Sequence, residues 1–96
     1  MSCSRDVAFK DRDDLHIRPA QRIAQVASGF TSDITVLKDG LKLNAKSILD
    51  MIDLMAHTAN SNDLSIRIAA NGEDEQAAVE SLCRLVEERF GLEADA

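Results

Sequence analysis

The sequence predicts an α+β fold, an open-faced sandwich in which one four-stranded antiparallel sheet carries three helices in the order β-α-β-β-α-β-α. Three observations carry this expectation. Leu64, Ile66, Ile68 and Ala70 alternate with Ser65, Arg67 and Ala69, the period of a strand with one buried face. Asp39-Gly40 separates the β-branched run Ile34-Thr35-Val36 from Leu41-Lys42-Leu43-Asn44, the pattern of a two-residue hairpin turn. Ala20, Ile23, Ala24 and Ala27 recur at i, i+3, i+4 and i+7, one face of a helix.

The elements follow in order. Arg5 to Lys10 alternates, with Val7 and Phe9 on one side, and reads as a half-buried strand. Arg18 to Ser28 is the first helix, stopped by Gly29. Ser32 to Lys38 and Leu41 to Asn44 form the hairpin. Ser47 opens the second helix, with Ile48, Met51, Ile52 and Met55 on its inner face and Asp50 and Asp53 toward water. After the Leu64 to Ala70 strand, Asn71-Gly72 turns the chain. Glu73, Asp74 and Glu75 then suit the positive end of a helix whose inner stripe is Val79, Leu82, Cys83, Val86 and Phe90. The tails, Met1 to Ser4 and Leu92 to Ala96, are expected to fray. Element order does not fix strand order, and the first six elements also fit a ferredoxin-like arrangement.

The chain has 96 residues, 45% hydrophobic and 29% charged, which suits one domain over 1–96 with a core from about residue 5 to 90. Aromatic residues are 3%, so the core must be aliphatic. The formal charge of −6 repels nucleic-acid backbones and anionic membrane surfaces. Two cysteines, Cys3 and Cys83, fall short of a disulfide framework and suit a reducing compartment. There is no secretory apolar segment and no stretch near the ~20 apolar residues of a membrane span, so a cytoplasmic location is expected. Asp11, Asp13 and Asp14 lack the glycine and closing glutamate of a calcium loop and read as a solvated acidic loop. Neither a metal nor another cofactor is expected. His57 reads as a surface or C-terminal capping residue of the second helix.

The most informative stretch is Asp14-Leu-His-Ile-Arg-Pro-Ala20. Proline is tolerated in a first helical turn because its missing N–H has no helical partner to lose, so His16 falls at or just before the N-cap. Free backbone donors and the positive dipole end make an anion site there. A neutral imidazole is a nucleophile near neutral pH, and the Arg18 guanidinium can chelate phosphoryl oxygens. Taken alone, the same residues also describe an exposed histidine that merely caps a helix, with Arg18 a solvated first-turn charge.

The segment resembles the active-site segment of the histidine-containing phosphocarrier family, HPr, whose usual form is Gly-Leu-His-Ala-Arg-Pro-Ala. Gly29-Phe-Thr-Ser-Asp-Ile-Thr-Val36, Ala45-Lys-Ser-Ile-Leu49 and Gly72-Glu-Asp-Glu-Gln-Ala-Ala-Val79 resemble HPr segments too, in order, over about Val7 to Phe90. The resemblance implies strand order 1-4-2-3 with three helices on one face, distinct from the ferredoxin-like arrangement. It implies that His16 accepts a phosphoryl group on Nδ1 from phosphorylated enzyme I and passes it to a downstream EIIA-type acceptor, with Arg18 steadying the phosphate. Such a protein is a carrier in a relay, not an independent catalyst, and is expected to be a monomer.

The match departs at Asp14, where the family usually has Gly, and at Ile17, where it usually has Ala. A carboxylate beside His16 should oppose an incoming dianion and slow phosphoryl acceptance. Ile17 either widens the apolar surface that selects partners or tucks into the sheet. Ser47, with Asp50 three residues on, reads as an N-cap and weak capping box. The resemblance adds that many bacterial relatives are modified at the matching serine by a dedicated kinase, HPr serine kinase, although Asp50 stands where those relatives usually have Gly. It also places Leu49 and Ile52 on a partner-docking surface. Alternatives are a regulatory HPr-like protein that binds a transcription factor or enzyme through His16 or Ser47, and a ferredoxin-like small-molecule binder with an incidental histidine.

Overall fold

The computed structural model describes residues 2–91. Strand β1 (Cys3–Ala8) leads through a single 3₁₀ turn, Arg12–Asp14, into helix α1 (Ile17–Ala27). The hairpin β2 (Asp33–Lys38) and β3 (Leu41–Asn44), helix α2 (Ile48–Ala59), strand β4 (Ser65–Asn71) and helix α3 (Glu75–Glu87) follow. All pairings are antiparallel and the strand order is β1-β4-β2-β3, which resolves the topology in favour of 1-4-2-3. At Asp39 and Gly40 φ is 49° and 85°, the two left-handed residues that let a tight hairpin follow the strand twist.

The alternation read in the sequence sets which sheet face is covered. Val7 of β1, Ile34 and Val36 of β2, and Ile66, Ile68 and Ala70 of β4 are buried in one core with the inner faces of all three helices. The opposite face is open, and there Asp6 and Arg67, paired in register across β1 and β4, form a two-pronged ion pair at 2.8 and 3.2 Å. Both partners are exposed, so this pair adds little stability.

Several boundaries shift. Cys3 and Ser4, expected to fray, are strand residues opposite Ala70 and Ala69, whereas Met1 and 92–96 lie outside the described residues. In α2 the buried residues are Met51, Leu54, Met55 and Thr58, and Ile48, expected inside, is 48% exposed. The buried set itself follows i, i+3, i+4 and i+7, which leaves Ile52 half-buried at its edge and Ile48 on the overhanging first turn. Phe90 reaches the core from beyond the end of α3, through a turn in which Arg89, Phe90 and Gly91 have φ of 54°, 58° and 79°.

Asp74 is the N-cap of α3, and its carbonyl accepts the Ala78 N–H at 3.0 Å, but its side chain does not cap the helix. Its carboxylate accepts instead from the Ser32 hydroxyl and the N–H groups of Thr31 and Ser32, at 2.5, 2.9 and 3.0 Å. Those bonds, the Ser32 hydroxyl first, pull its pKa down to about 2. Glu75 satisfies the turn by accepting from the Gly72 N–H at 3.1 Å. Gly72 is packed so closely that a Cβ would lie 2.7 Å from Ser32 Cα.

Candidate functional site

The path from β1 to α1 is fixed residue by residue. Phe9 leaves the strand but still donates its N–H to the Leu64 carbonyl at 2.9 Å. Asp11 caps the 3₁₀ turn, its Oδ1 accepting from the Asp13 N–H at 2.9 Å. Arg12 reaches the carboxyl end of α2, donating to the carbonyls of Ala59 and Ser61 at 3.0 and 2.6 Å. These orphan carbonyls need donors, and a cation complements that end of the dipole.

Asp11 and Asp13 are exposed, as an acidic loop requires, but Asp14 is not. It is completely buried and held by Arg89, whose Nη2 lies 3.1 Å from Oδ1 and whose Nε lies 3.2 and 3.3 Å from the two oxygens. A carboxylate withdrawn from water needs such a partner. The expectation of a solvated Asp14 is thereby corrected, and so is the premise that its charge stands uncompensated beside His16.

His16 is the N-cap of α1, as the Pro19 spacing predicts, with φ −145° and ψ −175°. Its Nδ1 accepts the Arg18 N–H at 3.3 Å. The ring is exposed, and Nδ1 is aimed at the positive end of the helix. Pro19 is buried in the first turn. The Arg18 side chain is exposed and makes no ion pair or hydrogen bond among the described residues, so it is available to an anion. Ile17 is 58% exposed rather than tucked into the sheet.

Ser47 is the N-cap of α2, its Oγ accepting from the Asp50 N–H at 3.1 Å. The capping box does not close. The Asp50 carboxylate accepts from Asn44 N–H at 2.9 Å, tying α2 to β3, while the Ser47 N–H goes to the Asn44 carbonyl. Leu49 is 75% exposed, and Ile48 joins it on the surface. His57, in the last turn of α2, is half-buried with Nε2 3.4 Å from Asp39 Oδ2.

Arg12 ties the start of α1 to the end of α2, and Lys46, just before α2, donates to the Phe30 carbonyl just after α1. The two helices therefore run in opposite directions. His16 and Ser47 sit at opposite ends of the pair, on the order of 18 Å apart for the 12 residues of α2 at ~1.5 Å each. Ile17 and the Ile48–Leu49 corner lie toward those two ends. Among the described residues no group of three His, Cys, Asp or Glu is placed to hold a metal ion, and no helix is long and apolar enough to cross a membrane. Sequence reasoning missed Arg89: it stands 75 positions from Asp14, between the stripe residues Val86 and Phe90, where no periodic signal assigns it a partner.

A four-stranded antiparallel sheet in the order 1-4-2-3 with three helices, and an exposed histidine at the N-cap of the first, define a class of small α+β domain. The family model described as PTS HPr component phosphorylation site matches residues 3–88. The HPr-like protein Crh of Bacillus subtilis is 43% identical over 74 residues, 77% of this chain and 82% of that protein. The phosphocarrier protein HPr of Haemophilus influenzae is 39% identical over 83 residues, 86% of this chain and 93% of that protein. Among solved structures, an HPr of Thermoanaerobacter tengcongensis superposes with a TM-score of 0.80 at 37% identity, covering 93% of this chain and 96% of the other. This chain belongs to the HPr family, the phosphocarrier component of the phosphotransferase system. An HPr dimer from the same Thermoanaerobacter species (TM-score 0.66, 38% identity, 88% and 93% coverage) weighs against the expectation of a monomer.

Proposed function

We propose that this chain is a cytoplasmic phosphoryl carrier in which His16 accepts a phosphoryl group on Nδ1 from phosphorylated enzyme I and yields it to an EIIA-type acceptor. The observation that carries the reading is the exposed His16 imidazole at the N-cap of α1, with Nδ1 turned toward the helix end. In the forward step the Nδ1 lone pair attacks phosphorus, a P–N bond forms, and the bond from phosphorus to the donor breaks. The Arg18 N–H that had held Nδ1 is released to a phosphoryl oxygen, and the Arg18 guanidinium closes on another. Stabilisation by one helix end and one arginine is modest, which keeps the group transferable. The reverse step on the acceptor returns the imidazole to its resting bond. Ile17, Leu49 and Ile52, with Ile48, supply the apolar contact along the α1–α2 pair for donor and acceptor. Incubation with phosphoenolpyruvate and enzyme I should give an acid-labile, alkali-stable mass gain on His16, and labelling that persists in His16→Ala sinks the reading.

A second reading is favoured by the identity to the HPr-like protein Crh, namely a regulator that binds a transcription factor or enzyme when modified at His16, at Ser47, or at both. Ser47 is placed for modification at a helix start, where a phosphate is electrostatically tolerated. Failure of enzyme I to label His16, together with labelling of Ser47 by HPr serine kinase, selects this reading.

A further inference from the structure

The turn after α3 grips the loop that carries His16 at two points. Phe90 stacks on Phe9 at the start of that loop, with ring centroids 6.1 Å apart and planes 24° from parallel. The adjacent Arg89 holds Asp14, two positions before His16, with contacts of 3.1 to 3.3 Å. Both grips come from residues in the left-handed backbone region, at φ 54° and 58°. Side chains as large as Arg and Phe rarely adopt that conformation, and it persists only where surrounding contacts over-determine it. Between the two points Arg12 is bound to the end of α2, so the loop is fixed on both sides.

We propose that Arg89 and Asp14 are a positioning pair for the nucleophile: the strained Arg89–Phe90 turn sets the height and direction of the 3₁₀ turn, and through it the attitude of the His16 ring at the α1 N-cap. The inference rests on the phosphoryl-carrier reading for its kinetic consequence but not for its structural one. The pair does not touch the phosphoryl group. It acts by holding the ring in the orientation from which Nδ1 attacks, and near-attack orientation is where small misplacements are costly.

Two measurements on the full chain test this. In the first, transfer from phosphorylated enzyme I is followed with this protein as the varied substrate. Arg89→Gln and Asp14→Asn should each lower kcat about tenfold with KM within about twofold, Arg89→Lys should recover most of the loss, and the double variant should be no worse than the worse single one. In the second, which needs no enzyme I, amide exchange of Asp13, Asp14 and Leu15 should quicken at least tenfold in Arg89→Gln while β4 amides stay protected. Unchanged exchange in that loop, wild-type kcat in Arg89→Gln, losses that multiply in the double variant, or a rise in KM alone overturns the proposal. Global loss of β4 protection in Arg89→Gln moves the exchange comparison to Arg89→Lys, whose loop should exchange faster than wild type by a smaller factor, and an unchanged loop there is equally fatal. If wild-type protein is not labelled at all, the carrier reading fails while the exchange result still decides the positioning pair.

Discussion

The proposed docking role of Leu49 can be separated from a role in the core by substitution. Leu49 is 75% exposed on the first turn of α2, while Leu54, on the same helix, is completely buried. Full burial of a leucine side chain contributes about 1.5–3 kcal/mol, so covering the exposed three-quarters of Leu49 under a partner is worth about 1–2 kcal/mol. At ~1.4 kcal/mol per factor of ten, Leu49→Asp should raise the KM for transfer from enzyme I roughly 5- to 30-fold. The same change should leave the fold within ~0.5 kcal/mol, since the site is open to solvent and an acid in a first turn suits the helix dipole. Leu54→Ala should instead cost ~2–5 kcal/mol and lower Tm by more than about 10 °C, with transfer by the molecules still folded near normal. The assay is steady-state phosphotransfer with this protein as the varied substrate, alongside thermal unfolding by circular dichroism. A Tm loss for Leu49→Asp comparable to that of Leu54→Ala, or an unchanged KM, refutes the docking argument.

Three further outcomes follow from particular contacts. Gly72→Ala must push its new methyl against Ser32, whose Oγ would lie 2.6 Å away, so it should cost ~1–3 kcal/mol in denaturant unfolding. Asp74, held at about 2 by the Ser32 hydroxyl and the Thr31 N–H, has a folded pKa below its unfolded one. Its contribution to stability is therefore complete above the ordinary carboxylate pKa and is lost as pH falls through about 2. Urea titrations at stepped pH should show that acid limb reduced in Asp74→Asn, and an identical limb in both proteins contradicts the assignment. Ser47→Ala, which removes the Oγ acceptor for the Asp50 N–H, should cost about 1 kcal/mol, whereas Ser47→Asp should retain the cap and stability together.

How legible these features were in the sequence depends on the range of the interaction that creates each. The hairpin at Asp39-Gly40, the alternation in β4 and the N-cap position of His16 are local, set by turn chemistry, period and the tolerance of a first turn for proline, and each reads directly from a few residues. Strand order is not local: pairing β1 with β4 brings together residues about sixty positions apart, and only the resemblance to HPr supplied it. Ile48 was misplaced because its spacing fits the α2 stripe, while its exposure depends on whether anything covers the overhanging first turn. Asp14 reads as solvated from sequence because it belongs to an acidic cluster with Asp11 and Asp13. The partner that buries it comes from the far end of the chain.

On the proposed carrier reading, the same long-range pairing bears on how a chain with formal charge −6 takes up a dianion at His16. Field from the whole molecule opposes that step, so the local terms must prevail over it. Arg89 cancels the nearest buried carboxylate, Arg18 carries no competing partner among the described residues, and the α1 terminus presents its N–H groups beside the ring. Ser47, at the other end of the helix pair, is too distant for a phosphate there to act strongly on His16 through water at physiological salt, where the screening length is about 8 Å. Under the carrier reading, modification of Ser47 must then act on the apolar strip both partners share, close to Leu49, and a phosphate or Ser47→Asp should raise KM for transfer without lowering kcat. A fall in kcat at unchanged KM would instead mean that the two helix ends communicate through the fold.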